Sequence, residues 1–356
     1  MDQAKFGALA QILSRAYEGA LLAGMVYLGD ELGMYRALRG EGPMTSAALA
    51  AKAGLHERFV REWLYTQVLA GIVDYQAGER FELPAEAGIL LAEEDDLRCM
   101  ARLFDSFPQR TALLADVPRS FRTGIGLSWA DTEKGGTPAR VQWMDRFLRP
   151  WYEQVLVPQV LPNLDGVTDR LQAGGKVADF GCGSGMALVS MARAFPRSEF
   201  HGWDISTLAL DRGRENALSR GVGNVTFRNA RESGIPGDGS FDLVTTFDCV
   251  HDLTSPEAAA NAIRQALRPD GAWLIVDPGG RGTFEDNRDH PMALFGYASS
   301  VMGCLQSGMS EPGGAGCGCF GLPEAAMRAL AESAGFTRFR RLDIAHPINN
   351  FYEARP

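Results

Sequence analysis

The chain is predicted to be an α/β protein: a Rossmann-like, doubly wound sheet, mostly parallel with an antiparallel C-terminal edge, preceded by a small α-helical domain of winged-helix type. Three observations predict this. From about Gly175 onward, short apolar runs of strand character alternate with helical segments, as expected of a parallel sheet with helices on both faces. A glycine-rich turn, Gly181-Cys182-Gly183-Ser184-Gly185, lies at the first junction of strand and helix. Before residue 100, two short helices run into a two-stranded hairpin.

Residues 5–38 read as one or two apolar helices, carrying Phe6, Leu9, Ile12, Leu13, Leu21, Leu22, Met25, Leu28, Leu32 and Met34. Thr45 or Ser46 can cap a helix over Ala47–Ala53 that ends at Gly54. A second helix runs from His56 to about Gly71, with Phe59, Trp63, Leu64, Val68 and Leu69 on one side. Ile72–Tyr75 and Arg80–Leu83 form the hairpin. Residues 84–165 are helical with breaks and rich in aromatics, among them Trp129, Trp143, Phe147, Trp151 and Tyr152. They are expected to pack between domains and in part to line a pocket. The stretch 124–138, with four glycines, reads as a surface loop or lid.

Strands are then expected at Lys176–Phe180, Glu199–Asp204, Val225–Asn229, Leu243–Phe247 and Ala272–Asp277, with helices near 186–194, 207–220 and 256–267. The tail adds helices over Met292–Leu305 and Pro323–Ala334 and two antiparallel strands, Phe336–Arg341 and Asn349–Ala354. The domain boundaries expected are 1–100, 101–170 for a helical linker and pocket segment, and 171–356. No internal repeat is present in the sequence.

The length of 356 residues and an apolar fraction of 46% suffice for two cores. A net charge of −9 argues against polyanionic partners. A winged helix raises DNA binding directly, but residues 1–110 carry 11 basic and 16 acidic side chains. In the recognition-helix position, Arg58 and Arg61 stand beside Glu57 and Glu62. Phosphate contacts need a more basic face, so nucleic acid is not expected as a partner. No apolar run reaches the ~20 residues of a membrane span, and Leu9–Leu32 is interrupted by Arg15, Glu18 and Asp30. Without a basic start and cleavage site, that stretch is not a signal peptide, and a cytoplasmic protein is expected. The six cysteines should then be reduced. Cys317-Gly318-Cys319 lacks zinc-type spacing and reads as loop or core thiols.

The glycine turn narrows the ligand. Dinucleotide sites need G-x-G-x-x-G, and here Met186 stands where the third glycine would be. Asp179, two residues before the first glycine, would repel a pyrophosphate and suits an ammonium group. Asp204 ends the next strand, 25 residues on, where it can receive ribose hydroxyls, the alternative being a helix cap. An ammonium end and a ribose end together suggest S-adenosylmethionine.

Val177–Gly185, Gly202-Trp203-Asp204, Phe241–Asp248 and Leu267-Arg268-Pro269-Asp270-Gly271 resemble, in order, the motifs of class I S-adenosylmethionine-dependent methyltransferases. Phe121–Gly124, Val250-His251-Asp252-Leu253, Glu311–Ala315 and Asn350–Pro356 extend the likeness to the actinobacterial two-domain type with an N-terminal winged-helix domain. The resemblance implies in-line methyl transfer to a small-molecule acceptor, in secondary metabolism, by a homodimer paired through its N-terminal domain. It implies a cofactor site of Asp179, Gly181, Cys182, Gly183 and Gly185 for the amino-acid half, and Asp204 with Ile205 for ribose. Phe247 and Asp248 belong to the same site. Where related enzymes carry an acid for adenine, this chain has Arg231, which lacks an acceptor. Glu232, stacking by Arg231, or backbone groups are the substitutes.

For catalysis the resemblance points to His251 as general base, beside Asp252, the alternative being a histidine that packs or caps the following helix. A second enzymatic reading uses His251, Asp252 and His290 as a two-histidine, one-carboxylate iron site for C-methylation of a 2-oxo acid. A reading from another class is a cofactor-sensing winged-helix regulator, which would call for a basic recognition face. His201 is expected in the core, His56 at a helix start and His346 in a loop. Phe295, Tyr297, Met302 and Gln306 are expected on a helix above the sheet, as pocket or plain core.

Overall fold

The computed structural model describes residues 1–129 and 139–356, in two compact units, Met1–Ala112 and Leu113–Pro356. Much of the expected loop or lid at 124–138 lies outside the described residues.

The first unit opens with a 29-residue helix, Gln3–Glu31, followed by Met34–Leu38, Ser46–Ala53, Glu57–Leu69 and Ala85–Ala92. Thr45, rather than Ser46, caps the third helix by accepting the Ala48 N–H, and Gly54 ends it at φ +68°. His56 caps the fourth through Nδ1. The wing has three strands: β1 (Met44–Thr45), β2 (Asp74–Gln76) and β3 (Arg80–Glu82). β3 lies in the middle, antiparallel to both neighbours. β1 is too short to carry a periodicity that sequence reading could detect. Tyr35, Leu38, Leu49, Leu64 and Phe81 fill the core. The buried Tyr35 hydroxyl donates to Gln67 Oε1 at 2.7 Å.

The second unit is built on seven strands: β4 (Lys176–Phe180), β5 (Glu199–Asp204), β6 (Val225–Asn229), β7 (Phe241–Phe247), β8 (Leu267–Pro278), β9 (Arg338–Arg341) and β10 (Asn349–Arg355). Their spatial order is β6-β5-β4-β7-β8-β10-β9. β6 through β8 are parallel neighbours, and β10 is antiparallel to β8 and β9. The mostly parallel sheet with an antiparallel C-terminal edge is therefore as the alternation of elements predicts.

Period-two alternation sorts side chains between two cores. Val177, Leu243, Leu274 and Phe351 join one layer, with the helix Met186–Ala194. Their chain neighbours Ala178, Val244, Trp273, Ile275 and Tyr352 join the other, with the helices Pro256–Ala266 and Glu324–Ser333. Every residue of β7 is buried, as expected for a central strand covered on both faces. The strand order reverses between β4 and β7, and open α/β sheets place ligands at the carboxyl ends of strands beside such a switch.

Part of the aromatic segment enters this unit's core. The helix Ala139–Trp151 continues as a π-helix, Tyr152–Val160, with Pro150 and Pro158 inside the run. Prolines lack the N–H that an α-helix would use there, and π geometry recurs at functional sites. Trp151 and Tyr152 pack on Phe247 at the end of β7. The expected helix 292–305 is broken at Gly303 into Ala293–Met302 and Cys304–Gly308.

Candidate active site

The site is built where β4, β5, β7 and β8 end. The β4 turn places Gly181, Gly183 and Gly185 at φ +75°, +51° and +68°, a region that side chains disfavour. A Cβ on Gly181 would also collide with the Cys249 thiol, and one on Gly185 with the Phe227 ring. Gly181 and Cys182 donate their N–H groups to the Trp203 carbonyl at 2.8 and 3.0 Å, tying the turn to β5. Asp204 accepts the Gly183 N–H at 2.8 Å through one oxygen and the Ser206 N–H at 2.8 Å through the other. Ser206 itself caps the helix Thr207–Ser219, so the helix-cap alternative for Asp204 is taken by a neighbour.

The Asp179 side chain is buried and accepts the Thr245 hydroxyl from β7 at 2.7 Å. Burial pushes its carboxyl up to about 7, with Thr245 acting against the rise and Asp204 adding to it. Cys182 and Cys249 are pushed well up, first by burial and then by nearby carboxylates. Asp145 fastens the turn from behind. It accepts from Ser184 and Asn216, each at 3.0 Å, and from Arg212 at 3.1 Å. Ile205 is half-buried beside Asp204, whereas Arg231 and Glu232 are exposed. The Arg231 N–H closes a turn onto Asn229 Oδ1. None of this assigns an adenine contact to either side chain.

Across the switch point, Phe247 leads into Asp248, a non-glycine residue at φ +48°. Such a conformation persists only where surroundings hold it. Asn349 of β10 donates to Asp248 Oδ1 at 2.8 Å, and the Asp248 N–H reaches the Val276 carbonyl. Burial lifts the Asp248 carboxyl to about 6, against the His251 charge and with that of Asp277.

His251 is buried and doubly held by Asp277 at the end of β8. Its N–H donates to Asp277 Oδ2 at 3.1 Å, and its Nδ1 lies 2.7 Å from Asp277 Oδ1. Burial disfavours the imidazolium, but the charge and hydrogen bond of Asp277, with Asp252 adding, outweigh it and lift the group to about 10. Nε2 makes no hydrogen bond to a described residue. Asp252 accepts the Trp129 indole N–H. Trp129 also lies against Gly303, so the start of the 124–138 segment meets this corner.

The other predicted residues scatter. His290 accepts the Met292 N–H and packs on Phe320. Among the described residues, the side chains converging on His251 in a metal-like cluster are Cys304 and Cys319, not Asp252 with His290. His201 is half-buried on β5, next to Thr226 and Arg228. His346 caps the start of β10 by accepting from Ile348 and Asn349. Gln306 is buried and accepts the Ser120 hydroxyl, and Phe295 and Tyr297 are exposed.

Sequence reading placed Trp129 and Tyr152 only in a general aromatic segment, and it missed Asp277 and the pairing of Cys304 with Cys319 at this site. Asp277 alone carried a usable signal, an acid closing the fifth strand of an α/β sheet.

A family model described as a methyltransferase domain matches residues 177–271. The C-terminal unit thus carries a methyltransferase domain. Residues 20–93 match an Rv2258c-like winged HTH domain. A ubiquinone biosynthesis O-methyltransferase from Cupriavidus pinatubonensis is 33% identical over 122 residues, which are 34% of this chain and 47% of that enzyme. The chain spans about half the length of the curated relatives it matches. Among solved structures, mitomycin 7-O-methyltransferase is 20% identical with a TM-score of 0.66, covering 99% of this chain and 100% of its own. Human N-acetylserotonin methyltransferase in complex with S-adenosylmethionine is 17% identical with a TM-score of 0.68, covering 100% and 98%. These two share the fold. S-adenosylmethionine is bound in that human enzyme's structure, and the residues present here fit it: a turn that tolerates no Cβ at Gly181 or Gly185, a buried Asp179, and Asp204 braced at the rim.

Proposed function

We propose that this chain methylates a hydroxyl oxygen of a small-molecule acceptor, with His251 as the base that takes the hydroxyl proton. The observation that carries this reading is the His251–Asp277 pair. A buried carboxylate holds Nδ1 and favours the imidazolium, so Nε2 is the ring atom that exchanges a proton with the acceptor, and it accepts the hydroxyl proton in the neutral form that grows as pH rises toward about 10. When bound, S-adenosylmethionine supplies an electrophilic methyl group. Asp179, Gly181, Cys182, Gly183 and Gly185 hold its amino-acid half, and Asp204 and Ile205 its ribose. Phe247 and Asp248 close the site at β7, with Arg231 and Glu232 at the adenine end. Asp252, held by Trp129, adds negative charge beside the imidazole.

Oxygen is the favoured acceptor atom because the ubiquinone and mitomycin enzymes are named for O-methylation. We also infer that two copies pair through the first helix, where Phe6, Leu9, Ile12, Leu13, Tyr17 and Leu21 are all exposed. The decisive experiment is release of S-adenosylhomocysteine on incubation with a panel of phenols, naphthols and hydroxylated aromatic acids. Turnover of at least one hydroxyl acceptor, abolished by its O-blocked analogue, is expected. Transfer to amines alone, or no binding of the cofactor, would overturn the reading.

A further inference from the structure

We propose that His251, Cys304 and Cys319 form a site for one zinc-type divalent ion, with a coordination position left open for the acceptor oxygen. The ligands come from three places: the turn after β7, the first residue of the helix Cys304–Gly308, and the loop that follows Gly318. One ligating atom of each lies within 4.8 Å of the others, and the two sulfurs are 3.3 Å apart. Three points so spaced share a centre within about 2.8 Å of each, and zinc takes thiolate at about 2.3 Å and imidazole at about 2.0–2.1 Å. Shifts of well under an ångström would close the shell.

Two features prepare the ligands. Nδ1 of His251 is held by the buried Asp277 carboxylate, the arrangement by which metal-bound imidazoles are oriented and made more basic. Gly318, at φ +66°, makes the turn that directs Cys319 toward Cys304, and the Cys319 N–H is fixed on the Ser300 hydroxyl at 3.2 Å. Cys317, the other half of the Cys-Gly-Cys sequence, instead packs against the core layer that contains Trp273. This is why spacing along the chain gives no zinc pattern.

Two thiolates and one imidazole leave a tetrahedral ion one vacant position, the composition of a catalytic rather than a structural zinc site. Binding needs both thiols as thiolates and the imidazole neutral, and it releases the protons those three groups carried. With the ion in place His251 is a ligand, and an acceptor hydroxyl in the open position is acidified by the cation and gives its proton to solvent water; without the ion, the neutral His251 takes that proton. The identity of that fourth ligand rests on the function proposed above, while the metal site does not.

The test is titration of the reduced, chelator-stripped full chain with zinc alone, followed by native mass spectrometry and a thiol reagent. One zinc per chain and protection of two of the six thiols are expected. Cys304→Ser and Cys319→Ser should each weaken uptake at least tenfold, and Cys317→Ser and His290→Ala should not. No uptake, or uptake insensitive to both serine variants, overturns the site. Should those variants fail to fold, thiol protection in the unaltered chain decides, and its absence overturns the site. Methyl transfer by a chain that takes up no zinc removes this inference and leaves the proposed function standing. Zinc uptake by a chain that transfers no methyl group does the reverse.

Discussion

At the scale of single residues, three side chains test the proposed division between binding and chemistry. His251→Ala should lower turnover ~10²–10⁴-fold while leaving cofactor affinity unchanged; a loss below tenfold in steady-state kinetics removes the base. Asp204→Ala should act the other way and weaken cofactor binding in calorimetry, because its carboxylate braces the Gly183 N–H at the rim. Asp179 carries a pH dependence. Burial lifts its folded pKa to about 7, above its unfolded value, so its contribution to stability is full below about 4 and declines as pH rises toward 7. A cofactor ammonium favours the carboxylate, so binding should release a proton and be roughly tenfold weaker at pH 6 than at pH 8. Calorimetry in buffers of different ionisation enthalpy would detect that proton, and Asp179→Asn should abolish it. Flat affinity across that range would separate Asp179 from the ammonium.

At the scale of elements, the β4 turn and the β7–β8 edge differ in how they could be read. The turn is local: three glycines at alternate positions are what a backbone with three positive φ values requires, and no distant residue is needed to recognise it. Gly185→Ala combines a disfavoured φ with a collision on Phe227. It should cost about 1–3 kcal/mol in thermal or denaturant unfolding and reduce cofactor binding. A second substitution, Phe227→Ala, should recover part of the loss by making room; no recovery would leave φ strain as the sole cause. The β7–β8 edge is not local. Asp277 meets His251 because β8 lies beside β7 in register, with Phe247 opposite Val276. Spacing of 26 residues in the chain carries no hint of a 2.7 Å contact. The break at Gly303 is similar: it puts Cys304 at the start of a new helix, and continuous apolar character over 292–305 concealed it.

At the scale of the whole molecule, charge and apolar surface bear on the partners proposed. No described helix is long and apolar enough to cross a membrane. The first helix nonetheless exposes a row of large apolar side chains, with Ile12 and Leu13 at 62% and 71% exposure. Pairing of two copies would bury them, and stable interfaces remove ~800 Å² from each partner. The double substitution of Ile12 and Leu13 by Glu should therefore convert a dimer to a monomer in analytical ultracentrifugation. A wild-type monomer at micromolar concentration would refute the pairing. The winged-helix unit should give no mobility shift with duplex DNA at low salt, since its recognition-helix arginines are engaged, Arg58 with Glu62 and Arg61 with Glu57.

By itself the sequence determined what depends on near neighbours. Alternation of strand and helix specified the sheet, Thr45 or Ser46 with Gly54 bounded a helix, and the glycine turn with Asp179 and Asp204 set the expected kind of ligand, since backbone conformation and side-chain periodicity are properties of short stretches. The tertiary structure alone decided which distant groups share a few ångströms. It joined His251 to Asp277 and to two thiols, seated Trp129 on Asp252, and left His290 on Phe320, because strand order and helix breaks set those distances and neither is written in any one segment.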